Sequence, residues 1–296
     1  KSMKIIDSFM YFDEDMLLDI RLHTLNKFVS KFIICESTFR FNGLKKKLNF
    51  DIKKFTKFKD KIEYIVCDHQ PKNLLSIIDK DGHITKKEKI IENAQIRETF
   101  QRNFCLNKIK QFSEEDLIII NDLDEIPNLN NFSYKNKITI FKQKMFYYKL
   151  NLEYPDFDWM GSKICKVKHL IGPQWLRSVK AKKYPFWRID VLFNNKKYSN
   201  LNFINSGGWH FTNIMSPEMM DLKMRSFAHH VEYEESGYNS DKLKKLIQSK
   251  KVLYNHSADK KDSNKFQEGK SLKSSSVANL PEYININQSK FKDWID

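Results

Sequence analysis

The chain has 296 residues, 41% of them apolar and 30% charged, which suits one large α/β domain or two small ones with a substantial core. Lysine and arginine exceed aspartate and glutamate by 52 − 37 = 15, yet no long basic block interleaved with aromatics stands out, so the excess reads first as a lysine-rich surface. No apolar run reaches the roughly 18 residues that cross a bilayer; Met3 reads as the natural start, and the expectation is a soluble, cytoplasmic protein.

Residues 4–12 predict a buried first strand ending in a loop, and Asp13, Glu14 and Asp15 are acids suited to a helix N-terminus. Leu17, Ile20, Leu25 and Phe28 recur at near-helical spacing, which predicts an amphipathic helix over 14–29. Short strands follow at 31–36 and 61–67, then a long helix over 86–111 and a strand over 116–121 that runs directly into Asp122-Leu123-Asp124. Continuous apolar strands alternating with helices predict a mostly parallel central sheet covered on both faces. Ligands of such sheets bind beyond the carboxyl ends of the strands. Asp7, Glu36 and Asp122 all stand there, which predicts one shared cleft.

After residue 135 the pattern changes. Two strands rich in Phe and Tyr are expected over 136–151, another over 159–167, and a short helix over 173–177. A strand over 203–212 is interrupted by Gly207-Gly208, and a helix over 216–235 has Pro217 in its first turn. From about 255 the composition is rich in Lys, Ser and Asn, which predicts a tail lying over the surface or partly disordered. The expected organisation is therefore a domain over 4–235, with halves 4–127 and 128–235, followed by a polar, lysine-rich extension over 236–296. Cys35, Cys67, Cys105 and Cys165 form no Cys-x-x-Cys pair, which argues against zinc ligands and a disulfide framework, and three of them, in apolar runs, read as reduced core residues.

The chemistry concentrates at Asp122-Leu123-Asp124. Alternate residues of an ending strand face one way, so two carboxylates can approach one cation together. Hard divalent ions such as Mg²⁺ and Mn²⁺ take a few carboxylates plus substrate phosphates. The plain alternative is a polar loop closing a strand, with Pro127 ending it. Gln101-Arg102-Asn103 lies one helix upstream, where an arginine fork suits phosphate or sugar oxygens, although Glu98 and Arg102 also fit an ordinary helical ion pair. His210, in Gly207-Gly208-Trp209-His210-Phe211, is a candidate metal or phosphate ligand whose glycines permit close backbone approach; a core histidine is the plain reading. His229 and His230 are ambiguous in the same way. No phosphate-binding P-loop, dinucleotide Gly-x-Gly-x-x-Gly or Gly-x-Ser-x-Gly elbow is present, which removes support for kinase, dinucleotide oxidoreductase and common hydrolase classes.

Several segments taken in order carry a resemblance. They are the opening Ile5-Ile-Asp-Ser-Phe-Met-Tyr-Phe12, Glu36-Ser-Thr-Phe-Arg-Phe-Asn-Gly43, Gln101-Arg-Asn103 and Asp116-Leu-Ile-Ile-Ile-Asn-Asp-Leu-Asp-Glu-Ile-Pro127. Tyr147-Tyr-Lys-Leu-Asn151, Trp159-Met-Gly-Ser162, Gly172-Pro-Gln-Trp-Leu-Arg177, Gly208-Trp-His-Phe211 and Ser226-Phe-Ala-His229 complete the series. Over about residues 4–232 the chain resembles glycosyltransferase family 17, whose best-known members add the bisecting N-acetylglucosamine to N-glycans. The resemblance implies a GT-A-like fold, with a Rossmann-type central sheet and a smaller antiparallel acceptor-side region. It also implies a UDP-sugar donor (typically UDP-N-acetylglucosamine), a divalent metal, inversion at the anomeric carbon and a glycan acceptor. On this reading Asp122, Asp124 and His210 hold Mn²⁺ or Mg²⁺. Arg102 and Asn103 match the Arg-Asn pair before the Asp-x-Asp strand, and Asp7 and Glu36 are placed to hold the base or ribose. The general base is expected among Asp156, Asp158, Glu125 and Glu232, with Asp158 favoured because Tyr154, Phe157 and Trp159 surround it.

The animal enzymes carry an N-terminal membrane anchor, which this sequence does not show, so the expected acceptor is a surface polysaccharide, glycoprotein or lipid-linked glycan. Two rival classes remain: a nucleotidyltransferase that makes nucleotide sugars, and a basic nucleic-acid-binding protein. The first would normally show an N-terminal glycine-rich loop, yet no glycine occurs before Gly43. The second predicts steeply salt-dependent binding, and no nucleic-acid partner is expected. Peripheral contact of the basic tail with anionic lipid is a milder expectation.

Overall fold

Apolar runs become strands in chain order: β1 (Ile5–Tyr11), β2 (Lys31–Ser37), β3 (Ile62–Cys67), β4 (Leu117–Ile120), β5 (Glu125–Pro127) and β6 (Ile138–Phe141). Then come β7 (Gln143–Tyr147), β8 (Leu152–Trp159), β9 (Lys163–Lys166), β10 (Leu201–Ile204), β11 (Gly208–Thr212) and β12 (Lys273–Ser274). The α-helices are α1 (Asp15–Leu25), α2 (His83–Asn103), α3 (Leu106–Ile109), α4 (Pro173–Ser178), α5 (Pro217–Ser226), α6 (His230–Glu235), α7 (Ser240–Gln248) and α8 (Glu282–Ile286). The computed structural model describes residues 3–185, 188, 191, 193–227, 229–254 and 270–296.

The protein is a mixed α/β structure with two sheets. The larger has strand order β10-β6-β9-β4-β1-β2-β3. Its β4-β1-β2-β3 portion is parallel throughout, as the continuous apolar runs require. Beyond β4, β9 inserts antiparallel to both β4 and β6, and β10 pairs parallel with β6. Strands from both sides of residue 127 thus interleave in one sheet, and the two expected halves share a core. The smaller sheet has order β12-β8-β7-β11-β5 and is antiparallel except at β11–β7.

Two helical expectations and one strand change in detail. The helix expected over 86–111 ends at Asn103, where the Phe104 N–H bonds Gln101 O at 3.2 Å in a tight turn, and α3 follows separately. The helix expected over 216–235 divides. Ser216 caps α5 by accepting from Met219 N at 3.2 Å, but Phe227 is extended (φ −86°, ψ 174°) and α6 starts anew after it. The segment expected as one strand over 159–167 is the end of β8 and a separate β9.

The C-terminal part corrects the expectation of a surface tail. The lysine- and serine-rich stretch 255–269 lies outside the described residues. Leu280, Ile284 and Phe291, however, join the main core with Leu18, Leu22 and Phe32. Tyr283 stacks on His23 at 3.9 Å between ring centroids, and Trp209 donates to Asn279 O at 2.7 Å. Few apolar residues sufficed because each reaches the core from its own local structure: Leu280 is extended before α8, Ile284 lies on α8, and Phe291 follows in the turns beyond it. The mean polarity of the segment masked them. Leu243 and Leu246 of α7 bury against Tyr147, Tyr148 and Tyr233. All four cysteines are buried and unpaired, one more in the core than the three expected there. Among the described residues no helix is long and apolar enough to cross a membrane.

Candidate active site

β4 delivers Asn121-Asp122-Leu123-Asp124-Glu125 to the edge of the larger sheet, and one buried side chain shapes this turn. Arg21, on α1, is fully buried. Its Nε and Nη2 donate to the two oxygens of Asp7 at 2.8 and 2.7 Å. Its Nη1 donates to the carbonyls of Leu123 and Glu125 at 3.0 and 2.7 Å, and its Nη2 reaches Asn121 Oδ1 at 2.5 Å. A guanidinium has five donors in a fixed fork, so this one residue ties three carbonyl or amide oxygens of the loop and a carboxylate into a single geometry.

Asp122 is held from two sides. Arg102 Nη2 donates to Oδ1 at 2.9 Å, and Arg177 Nη2 donates to Oδ2 at 2.7 Å. Burial opposes the Asp122 charge, but Arg177 and Arg102 outweigh it and hold the carboxyl well below its ordinary range. Burial likewise works against the Arg177 charge, and Asp122 with Glu125 reverses the effect and raises it. Glu125, completely buried, accepts from Arg177 and from Trp159 Nε1 through Oε1, and from the backbone N–H of Asp122 through Oε2. A Cβ on Gly161 would stand 2.3 Å from Glu125 Cδ, so only glycine lets the chain after β8 pass this carboxylate. Glu125, one of the bases expected, therefore lies with both oxygens hydrogen-bonded to Arg177, Trp159 and the Asp122 N–H.

Asp124 faces His210. β11 pairs antiparallel with β5, setting His210 opposite Glu125, and Phe211 N donates to Asp124 O at 2.8 Å. Gly208 makes this approach possible: its φ is +130°, and a Cβ there would lie 2.1 Å from Ile126 O. His210 Nε2 comes to 3.6 Å from Asp124 Oδ1, and its ring stacks on Trp159 at 4.8 Å. Burial raises the Asp124 pKa, while His210 and Lys223 lower it by more, so the net shift is downward. Lys223 pairs with Glu14 at 3.2 Å.

This donor set fits a divalent cation in one form. Asp124 and His210 offer an oxygen and a nitrogen side by side, enough for an ion whose remaining positions are filled by phosphate oxygens and water. Asp122 has both oxygens on arginines instead of beside Asp124 on a cation. Among the described residues no group of three or more His, Cys, Asp or Glu side chains is arranged to hold a metal.

These residues form the floor of a cavity of about 870 Å³, which Asp122, Asp124, Arg177, His210 and Lys223 line. Phe41, Phe157, Trp159, Phe227 and Tyr254 line it too, together with Tyr11 at the end of β1 and Phe12 and Phe39 just beyond the ends of β1 and β2. The other expected residues lie elsewhere. Asp7 is consumed by Arg21 and Asn121, which donates from Nδ2 at 3.0 Å. Glu36 is fully buried and accepts from Lys46, from the N–H groups of Asn49 and Phe50 at 2.7 and 3.1 Å, and from Tyr64 at 2.8 Å. It pins the 46–50 loop rather than opening on the cleft. Asn103 accepts from Gln174 N at 2.9 Å and so caps α4, the helix that carries Arg177. Asp158 is exposed on the opposite side of β8 from Phe157 and Trp159, as strand alternation dictates, and Asp156 is exposed at a positive φ of 57°. Glu232 meets the cavity only through His229, whose Nδ1 is 2.5 Å from Glu232 Oε2.

The family model for glycosyltransferase family 17 matches residues 1–295. The chain belongs to glycosyltransferase family 17. It is similar to the human β-1,4-mannosyl-glycoprotein 4-β-N-acetylglucosaminyltransferase, 27% identical over 128 residues, which cover 42% of this chain and 22% of the relative. The rat protein of the same name gives the same figures. The match thus spans about a fifth of the length of these curated relatives.

Within this family 17 chain, sequence reasoning missed Arg21, Lys223 and the role of Arg177. Arg21 had a signal: it occupies the apolar stripe of α1, four residues from both Leu17 and Leu25. A charged residue on a helix face that must be buried implies a buried partner. Arg177 stood in the quoted Gly172–Arg177 segment without a partner to define its role. Lys223 shows no pattern of its own and acquires meaning only beside Glu14 and Asp124.

Proposed function

We propose that the protein is an inverting, metal-dependent glycosyltransferase of GT-A type that moves N-acetylglucosamine from UDP-N-acetylglucosamine to a hydroxyl of a glycan. The family gives glycosyl transfer. The donor sugar follows the printed names of the human and rat relatives, and a β-mannoside is the first acceptor to try. The observation that carries the reading is the floor itself: Asp124 with His210, flanked by the cations Arg177, Arg102 and Lys223, at the end of a buried parallel strand.

In this reading the donor diphosphate sits on that floor. A divalent ion held by Asp124 and His210 would supply Lewis-acid charge to the leaving nucleoside diphosphate. Arg177 and Lys223 add fixed positive charge at the same place, and fixed charge in a water-poor site stabilises developing negative charge without reorganising at the moment of reaction. Asp122 keeps both arginine forks aimed. The rings of Tyr11, Phe12 and Phe39 suit a nucleoside, and Phe157 and Trp159 suit the apolar face of a sugar. The match to glycosyltransferase family 17 favours transfer from a nucleotide sugar over its synthesis.

The test is release of UDP from UDP-N-acetylglucosamine by wild type and Asp124→Ala, each with Mn²⁺ or EDTA. Loss of turnover in Asp124→Ala and in EDTA, with an unchanged melting curve, is expected. Full activity in both conditions would remove the metal from the proposal.

A further inference from the structure

An inverting transfer needs a group to take the proton of the acceptor hydroxyl, and the carboxylates at the cavity are committed elsewhere. Among the described residues they are Glu14, Asp122 and Asp124. Glu14 accepts from the N–H groups of Phe12 and Asp13, both at 3.0 Å, and pairs with Lys223. Asp122 is bound by two arginines, and Asp124 faces His210 and Lys223.

We propose that His229 is the general base, with Glu232 as its positioning residue; this inference rests on the transferase reading above. His229 lines the same cavity as Asp124, and its side chain is 43% exposed. The break between α5 and α6 puts it there: Phe227 is extended, packs edge-on against Phe41 at 5.8 Å, and turns the chain toward the cavity. His229 then starts α6, and Glu232 one turn on brings Oε2 to 2.5 Å from Nδ1. A carboxylate accepts, so Nδ1 carries the hydrogen, and the lone pair is left on Nε2. Nε2 has no protein partner among the described residues. This is the arrangement in which a carboxylate fixes the tautomer of a catalytic imidazole and stabilises its cation. His230 beside it is different, being buried with Nδ1 on Phe227 O at 2.8 Å.

The step balances without another reactant. The acceptor oxygen forms its bond to the anomeric carbon as its proton passes to Nε2 of His229. The bond from that carbon to the phosphate oxygen breaks, and its electron pair leaves with UDP. The imidazolium, held by Glu232, then returns its proton to water.

The experiment measures UDP release from UDP-N-acetylglucosamine with 4-nitrophenyl β-mannoside, and with water alone, which must also lose a proton when it attacks. Wild type, His229→Ala, His229→Gln and Glu232→Gln are compared, with UDP affinity measured by calorimetry and folding by thermal melting. His229→Ala and His229→Gln should each lower kcat by about 10²–10⁴-fold, with UDP affinity and melting unchanged. Added imidazole should restore part of the rate in His229→Ala but not raise that of wild type. Glu232→Gln should lower kcat by a smaller factor and leave the KM for the donor unchanged. Wild-type kcat in both His229 variants overturns the proposal. Loss of UDP affinity in step with kcat also overturns it, making His229 a nucleotide contact. If wild type releases nucleotide from no UDP- or GDP-sugar, the transferase reading itself has failed, a result distinct from either.

Discussion

The two sides of the cavity are built differently. On the floor every charged group has assigned partners: Arg21 with Asp7 and the 121–125 carbonyls, Arg102 and Arg177 with Asp122, Arg177 and Trp159 with Glu125. On the apolar wall, Phe41, Phe157 and Phe227 meet other rings at 5.4–6.4 Å between centroids. A bonded floor fails as a unit when one member is removed, because the rest is left buried and unpaired. A wall of apolar contact loses affinity gradually and can accommodate differently shaped sugars. Such a division suits an enzyme whose donor end is constant and whose acceptor end varies.

The largest expected effect tests whether the floor is one unit. Arg21→Leu strands the Asp7 carboxylate and several loop carbonyls, and should cost about 3–5 kcal/mol of stability in urea unfolding, the range for breaking one side of a buried pair. Retained stability would separate the loop from its arginine. Next, Arg177→Met removes a positive charge at the diphosphate position and a partner of both Asp122 and Glu125. A fall in kcat of about 10²–10³-fold is expected in the UDP-release assay; a change confined to KM would assign Arg177 to ground-state binding instead.

The wall should respond more weakly. Phe157→Ala removes the ring proposed to meet the acceptor sugar along with its contacts to Tyr154 and Trp159, a ring contact being worth roughly 0.5–1.5 kcal/mol, and should raise the acceptor KM several-fold with little change in kcat. A collapse of kcat would show that the wall is as exacting as the floor. The smallest effect is expected outside the cavity, at the partly exposed Glu63, which Lys31 and Lys108 hold at 3.1 and 2.9 Å. Its carboxyl is lowered by the Lys108 bond first, against burial and with help from Lys31. The pair's contribution is therefore present above the ordinary glutamate range and is lost as pH falls through the lowered value. Glu63→Gln should cost less than about 1 kcal/mol at pH 7, and the difference from wild type should close as pH falls below 4 in thermal melts. A difference that persisted there would not come from the charge.

Much of the donor side was legible. The buried strands at 5–11, 31–37 and 117–120 announced a parallel sheet through their unbroken apolar runs, and Asp122-Leu-Asp124 lay at the strand end the pattern required. The close approach of β11 to β5, which sets His210 beside Asp124, was legible in Gly207 and Gly208. The acceptor side was not legible, because Asp158 was chosen for its aromatic neighbours without the alternation of β8. The same period-2 rule that puts Phe157 and Trp159 into the cavity turns Asp158 away. The polar C-terminal segment likewise concealed Leu280, Ile284 and Phe291, whose burial depends on a groove made by distant residues.

The sequence by itself determined that Asp122 and Asp124 stand at the end of the β4 strand, because apolar continuity is a local property; it left Arg21, Arg177 and Lys223 without a place. Only the tertiary structure decided which of them are free to do chemistry. A carboxylate has a limited number of lone pairs, and their partners here come from far along the chain: Arg177 reaches Asp122 across 55 residues and Asn121 reaches Asp7 across 114. Asp7, Glu36 and Glu125 resemble Asp124 as residue types. They differ because long-range donors saturate them, and Asp124 keeps a face toward the cavity.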